Sequence, residues 1–270
     1  MDLADRIVVV TGGASGIGRA LCERFAMAGA RTVVVVDRDA AGAAQVAAEL
    51  GDQGRALSAD VGVEADVQAV VERTEEEVGP IDLFASNAGL GGGGGFDAED
   101  EVWGALWSVN VMAHVYAARA VLPRMVDRGG GYLLSTASAA GLLTNIGNAP
   151  YSVTKHGAVA LAEWIAITYG DQGIKVSCLC PMGVDTPMLR GATTATDDLA
   201  AGAASTQGVI APERVADVVI EGLRDERFLI LPHAEVADYE RRRAGERDRW
   251  LAGMRRLQAT LVASHSPGSD

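Results

Sequence analysis

The chain has little of what builds a secreted, metal-binding or membrane protein. Three cysteines in 270 residues are too few for a disulfide framework. Two of them, Cys178 and Cys180, fall in the apolar run "IKVSCLC", where a strand puts both on one face as small buried hydrophobes. The four histidines are scattered without ligand spacing, so no metal site is expected. No apolar run reaches the ~18 residues that span a bilayer. The acidic start "MDLADR" leads directly into a strand-like run and does not read as a signal peptide. Positive charge is scarce too. A formal net charge of −13 argues against nucleic acid as a partner, since surfaces that bind it are basic. The arginine-rich segment at 239–250, "YERRRAGERDRW", interleaves acids with its arginines, the pattern of a solvated, ion-paired helix face. These absences leave a soluble chain without a membrane partner, expected in the reducing cytoplasm.

What is present points to one large α/β domain. Apolar residues make up 49% and charged residues 22%, enough to supply a core without general disorder. Short β-branched runs at 6–10, 31–37, 55–60, 81–86, 131–136, 174–180 and 227–232 read as strands. Their near-continuous hydrophobicity suits strands covered on both faces. Helix-like segments at about 16–29, 40–50, 64–78, 99–128, 150–170 and 212–224 lie between them. This alternation predicts a single doubly wound, Rossmann-type domain over 1–262 with a mostly parallel seven-stranded sheet. Ligands of such sheets bind at the carboxyl ends of the strands. Two segments break the rhythm. "GLGGGGGFD" at 89–97 reads as a flexible loop. The small-residue-rich stretch 185–211 follows a strand end and reads as a substrate-covering lid. A disordered tail is expected over 263–270.

Two local patterns carry chemistry. "VVVTGGASGIGRAL" sets Gly12, Gly16 and Gly18 between the first strand and first helix. Glycines there let the backbone approach a pyrophosphate, and the helix N-terminus offers unpaired N–H groups. The spacing is G-x-x-x-G-x-G, not the common G-x-G-x-x-G. Asp37 ends the second strand, where a carboxylate accepts hydrogen bonds from ribose hydroxyls and repels a 2′-phosphate. That favours NAD over NADP, although the neighbouring Arg38 offers either a phosphate ligand or a stacking plane. The second pattern is "PYSVTKHG", with Tyr151 and Lys155 four residues apart on one helix face. An ammonium that close favours the tyrosinate.

Taken together, these motifs resemble the classical short-chain dehydrogenase/reductase family over roughly residues 5–190. The resemblance rests on "TGGASGIG" (11–18), Asp60 after the third strand, "NAG" (87–89) after the fourth, Asn110 in "SVNV", Ser138 in "STASAAG" and "YSVTK" (151–155). It implies Tyr151 as general acid/base and Lys155 as the group that binds the nicotinamide ribose and lowers the Tyr151 pKa. Ser138 would hold the substrate oxygen, and Asn110 a water in the proton path. It also implies cofactor contacts from Ser15, Ile17, Asp60, Val61, Asn87, Ala88, Gly89, Pro181, Val184 and Thr186, beside the glycines, Asp37 and Arg38.

Three departures stand out. Met182 follows Pro181 where the family has glycine, and Ser86 replaces an asparagine. The C-terminus lacks the glycine-rich strand ending of the family's 3-oxoacyl-carrier-protein reductases. The expected assembly is a homodimer through helices 99–128 and 150–170, or a homotetramer. The expected substrate is an apolar secondary alcohol or ketone (steroid-like, lipid-derived or alicyclic), since the lid supplies no cluster of cations. The alternatives are an NADPH-dependent ketone or 3-oxoacyl thioester reductase, and a non-catalytic dinucleotide sensor.

Overall fold

The computed structural model describes residues 1–191 and 195–265. Residues 192–194 of the expected lid and 266–270 of the expected tail lie outside the described residues. In chain order the elements begin β1 (Ile7–Thr11), α1 (Gly16–Met27), β2 (Thr32–Asp37), α2 (Ala40–Glu49), β3 (Gly54–Ser58), α3 (Glu64–Glu77) and β4 (Leu83–Ser86). Next come α4 (Asp100–Trp107), α5 (Ala113–Asp127), β5 (Gly131–Thr136), α6 (Ala140–Leu143), α7 (Ala149–Tyr169) and β6 (Ile174–Leu179). The chain continues with α8 (Pro187–Arg190), α9 (Ala195–Ala204), α10 (Pro212–Arg224), β7 (Leu229–Ile230), α11 (Glu235–Gly245) and α12 (Arg247–His265).

The strands form one seven-stranded sheet in the order β3-β2-β1-β4-β5-β6-β7, and every pairing is parallel. Period-two alternation divides the valine-rich strands between two cores. Val9, Val34, Val36, Phe84, Leu133 and Val176 pack on the face covered by α3, α5 and α7. Val8, Val10, Val33, Val35, Leu83 and Leu134 pack on the face covered by α1, α2 and α10. Both faces are therefore buried, as the unbroken apolar runs require. The edge strand β3 is the exception, with three of its five residues exposed. Cys178 and Cys180 do share one face, fully buried with their sulfurs 3.8 Å apart.

The strand order reverses between β1 and β4, and this switch point opens the crevice used by the site. The long helix expected over 99–128 is two helices joined by a π-helical turn at Ser108–Met112, with Asn110 at its centre. Such turns favour functional positions because they release backbone groups from the regular ladder. The arginine-rich segment is likewise two helices, broken at Gly245–Glu246. Residues 263–265, expected in the disordered tail, are instead the last turn of α12. No helix among the described residues is long and apolar enough to cross a membrane.

Candidate active site

The cofactor end is held together by short polar groups at strand ends. Thr11 closes β1, and its hydroxyl accepts from the backbone N–H groups of Asn87 (2.9 Å) and Ala88 (3.1 Å). The Asn87 amide nitrogen in turn donates to the Thr11 carbonyl at 3.0 Å. The first loop is thereby tied to the end of β4, across the switch point. Gly12 turns with φ +67, a left-handed conformation that favours glycine. Gly18 opens the first turn of α1 so near this loop that a Cβ there would overlap the Gly12 carbonyl oxygen and lie 2.6 Å from Asn87 Nδ2. The Asp37 carboxylate is fixed by the N–H of Ala14 (3.1 Å) and of Asp39 (3.0 Å). Each carboxylate oxygen keeps a lone pair for a ligand hydroxyl. Arg38 is exposed beside it and makes no ion pair among the described residues. Asp60 accepts from the N–H of Gly62 at 2.8 Å, and Val61 is buried.

The catalytic end is set by α7. Asn148 caps this helix, its side chain accepting from the Tyr151 N–H at 3.1 Å. One turn on, Lys155 is 3% exposed, and its ammonium donates to the Thr136 carbonyl at 3.1 Å and lies 5.6 Å from the Tyr151 ring centre. It is one of two lysines in the chain; the other, Lys175, is exposed and paired with Glu226. Ser138 follows β5; its hydroxyl accepts from the Ala140 N–H at 3.1 Å and makes a long, 3.4 Å bond to the Pro181 carbonyl. Met182, in the place of the expected glycine, donates its N–H to His233 Nδ1 at 3.2 Å. Val184 bridges to Ile210, and Thr186 caps α8 while standing over Gly16.

The electrostatics differ from the sequence expectation. Burial pushes the Tyr151 pKa up, and the neighbouring Ser138 hydroxyl partly opposes it. Burial is also what brings Lys155 down from 10.5 to about 8. Lys155 is buried and Tyr151 half-buried, and loss of water disfavours the charged form of each. His114 of α5 is fully buried near Lys155 with neither ring nitrogen hydrogen-bonded, and burial depresses its pKa to about 3. It is neutral and adds no second cation.

All the sequence-predicted site residues line one cavity of about 1050 Å³, from Asp37 and Asp60 through Gly12, Gly16 and Asn87 to Ser138, Tyr151 and Lys155, with the exception of Asn110. Asn110 is fully buried behind the wall. Its side chain pairs with both backbone groups of Leu90, at 2.9 and 3.0 Å, and with the Thr154 hydroxyl. Those bonds pin the glycine-rich loop, and Lys155 Nζ lies beside Gly89 in the same corner. Sequence reasoning missed Thr11 and Asn148 as positioning groups. It also missed Tyr239, Trp250, Met254 and Leu257, which line the cavity from α11 and α12. Asn148 ahead of Pro150 is a helix-start signal, and the spacing 250, 254, 257 is a helical stripe.

The cradle suits a dinucleotide: glycines where a Cβ would collide, a fixed carboxylate where a ribose would bind, and a half-buried phenol with a buried ammonium and hydroxyl further along the cavity. A doubly wound sheet with this site is that of a nicotinamide-dependent oxidoreductase. Comparison with known proteins agrees. Residues 6–197 match the short chain dehydrogenase family, and the chain belongs to it. It is 38% identical over 242 residues to the 1-deoxy-11-beta-hydroxypentalenate dehydrogenase of Streptomyces exfoliatus, covering 87% of this chain and 86% of that one. It is 34% identical over 212 residues to the 3beta-hydroxysteroid dehydrogenase 2 of Eggerthella lenta, covering 72% and 80%. The structure of a short chain dehydrogenase/reductase from Burkholderia phymatum in complex with NAD matches with a TM-score of 0.83 at 28% identity, covering 92% and 96%.

Proposed function

We propose that this protein oxidises an apolar secondary alcohol to its ketone, or runs the reverse reduction, with NAD(H). One observation carries the reading: Ser138, Tyr151 and Lys155 line the middle of a cavity that has the Asp37 carboxylate at one end. When bound, the nicotinamide takes or gives the hydride. Tyr151 Oη moves the proton, accepting it from the alcohol as phenolate or returning it to the ketone oxygen as phenol. Ser138 Oγ donates to that same oxygen and stabilises charge developing there. Lys155 has spent one of its three protons on Thr136, leaving two for ribose hydroxyls and for a water beside the phenol. Asn110 acts by position, holding the loop at Gly89–Leu90 against Lys155.

Asp37 supports NAD over NADP, because a 2′-phosphate would meet a fixed carboxylate. The lid reading of 185–211 is supported where Met188 of α8 meets Gly91 and where the alanines of α9 line the cavity. A homodimer is supported by apolar side chains left exposed on α4 and α7, namely Trp107, Val153, Trp164 and Ile167. A reducing, cytoplasmic setting fits three unpaired cysteines.

The test is a panel of secondary alcohols with NAD and NADP, followed by NADH or NADPH absorbance, with Tyr151→Phe as the blank. Expected are turnover with NAD and a loss of about 10³-fold in Tyr151→Phe with NADH binding kept. A stronger preference for NADPH removes the Asp37 argument, and near-normal turnover by the variant removes Tyr151 from the chemistry.

A further inference from the structure

The cavity lining extends beyond the residues expected to hold a dinucleotide and the catalytic groups. Its charged lining consists of Asp37, Arg38 and Asp60 at one end and Lys155 at the centre; past Tyr151 the described lining carries no formal charge. Four residues of that far lining, Tyr239, Trp250, Met254 and Leu257, come from beyond the 6–197 span of the family match. Trp250, Met254 and Leu257 recur at steps of four and three, so they share one face of α12. That face lines the cavity, while Arg255 and Arg256 point to solvent. Tyr239 of α11 lines it beside them, its ring centre 6.0 Å from that of Trp250. Helix α12 packs on α9, whose alanines leave the space that these larger side chains border.

We propose that α11 and α12 form the specificity wall of the substrate chamber and hold the hydrocarbon body of a fused-ring secondary alcohol or ketone. The reacting carbon sits at Tyr151, and the rings lie against Trp250, Met254 and Leu257. Indole and phenol rings present flat, rigid apolar surface, and a thioether adapts to the contour left between them. A strongly anionic substrate is favoured by a cation, and none of the side chains that line the cavity from these two helices is one. The cavity, about 1050 Å³, runs continuously from Asp37 past Tyr151 to this wall. This inference rests on the oxidoreductase reading above.

The test compares cyclohexanol with decalinol, its fused two-ring counterpart, in wild type and Trp250→Ala with saturating NAD. The variant is expected to lose about tenfold or more in kcat/KM for decalinol and to stay within about twofold for cyclohexanol. Binding is read separately: the fused-ring ketone decalone should change tryptophan fluorescence in wild type but not in Trp250→Phe. Equal losses on both alcohols mark Trp250 as merely structural, and no loss on either removes it from the chamber; both results overturn the wall. Wild type that oxidises cyclohexanol but not decalinol overturns the wall and leaves the oxidoreductase reading standing. Fluorescence changes that depend on Trp250, without oxidation of any alcohol, do the reverse.

Discussion

The two ends of the cavity are built on opposite principles. Around Gly12, Asp37 and Asn87 the work is done by backbone and by short polar side chains, each bonded to a strand end at about 3 Å. Around Met188, Tyr239 and Trp250 it is done by the volume of apolar side chains drawn from α8, α9, α11 and α12. On the proposed reading the first end recognises groups that every dinucleotide shares, so its geometry has to be fixed. The second, as proposed, would recognise a shape, which can be retuned by exchanging side chains without disturbing the sheet. Between them stand the phenol and the ammonium, where a few ångströms decide whether a proton moves.

If the fixed end and the catalytic groups work as derived, single changes there should be costly in predictable ways. After Tyr151→Phe, the largest effect is expected for Lys155→Met, a loss of turnover of at least about 100-fold. The same variant should be more stable than wild type. The Lys155 pKa is near 8 in the fold against an ordinary 10.5, so between those values the unfolded chain binds the extra proton and stability rises with pH. The burial cost is fully present below pH 8, on the order of 3 kcal/mol. A thermal melt should therefore show Lys155→Met raised by several degrees at pH 7, with the advantage fading toward pH 10.5. An unchanged or lower Tm at pH 7 would mean that the bond to Thr136 outweighs desolvation.

Next in size is Gly18→Ala. One methyl has no space beside the Gly12 carbonyl and Asn87, so a cost of about 1–3 kcal/mol is expected, seen both in Tm and as weaker NADH binding by fluorescence titration. Binding as tight as wild type would show that the fixed end is more tolerant than its packing says. The smallest effect belongs to Asp37→Ser. Removing the carboxylate while leaving Arg38 in place should move the NAD-to-NADP preference by about tenfold toward NADP, measured as a ratio of kcat/KM values. A preference that does not move would assign the choice of cofactor to another group.

Much of the fixed end was legible in the sequence, because its residues are contiguous or follow strands that announce themselves. "TGGASGIG", Asp37, "NAG" and "YSVTK" each occupy a short stretch whose local conformation the residues themselves impose. The parallel sheet was legible for the same reason: valine-rich runs long enough for a strand have no solvated face. The division of 99–128 by a π-helical turn was not, since the turn is held by Asn110 bonding to Leu90, twenty residues away in the chain. The pKa directions were not legible either. Spacing predicts which charges are neighbours, but burial is the leading cause that moves Tyr151 up and Lys155 down.

By itself the sequence determined the alternation of elements, the phosphate loop and the pairing of Tyr151 with Lys155, because these depend on backbone preferences and helical spacing over a few residues. Only the tertiary structure decided that the arginine-rich end of the chain turns Tyr239 and Trp250 inward. A half-apolar helix has no preferred partner until the cavity it closes has been assembled by the rest of the fold.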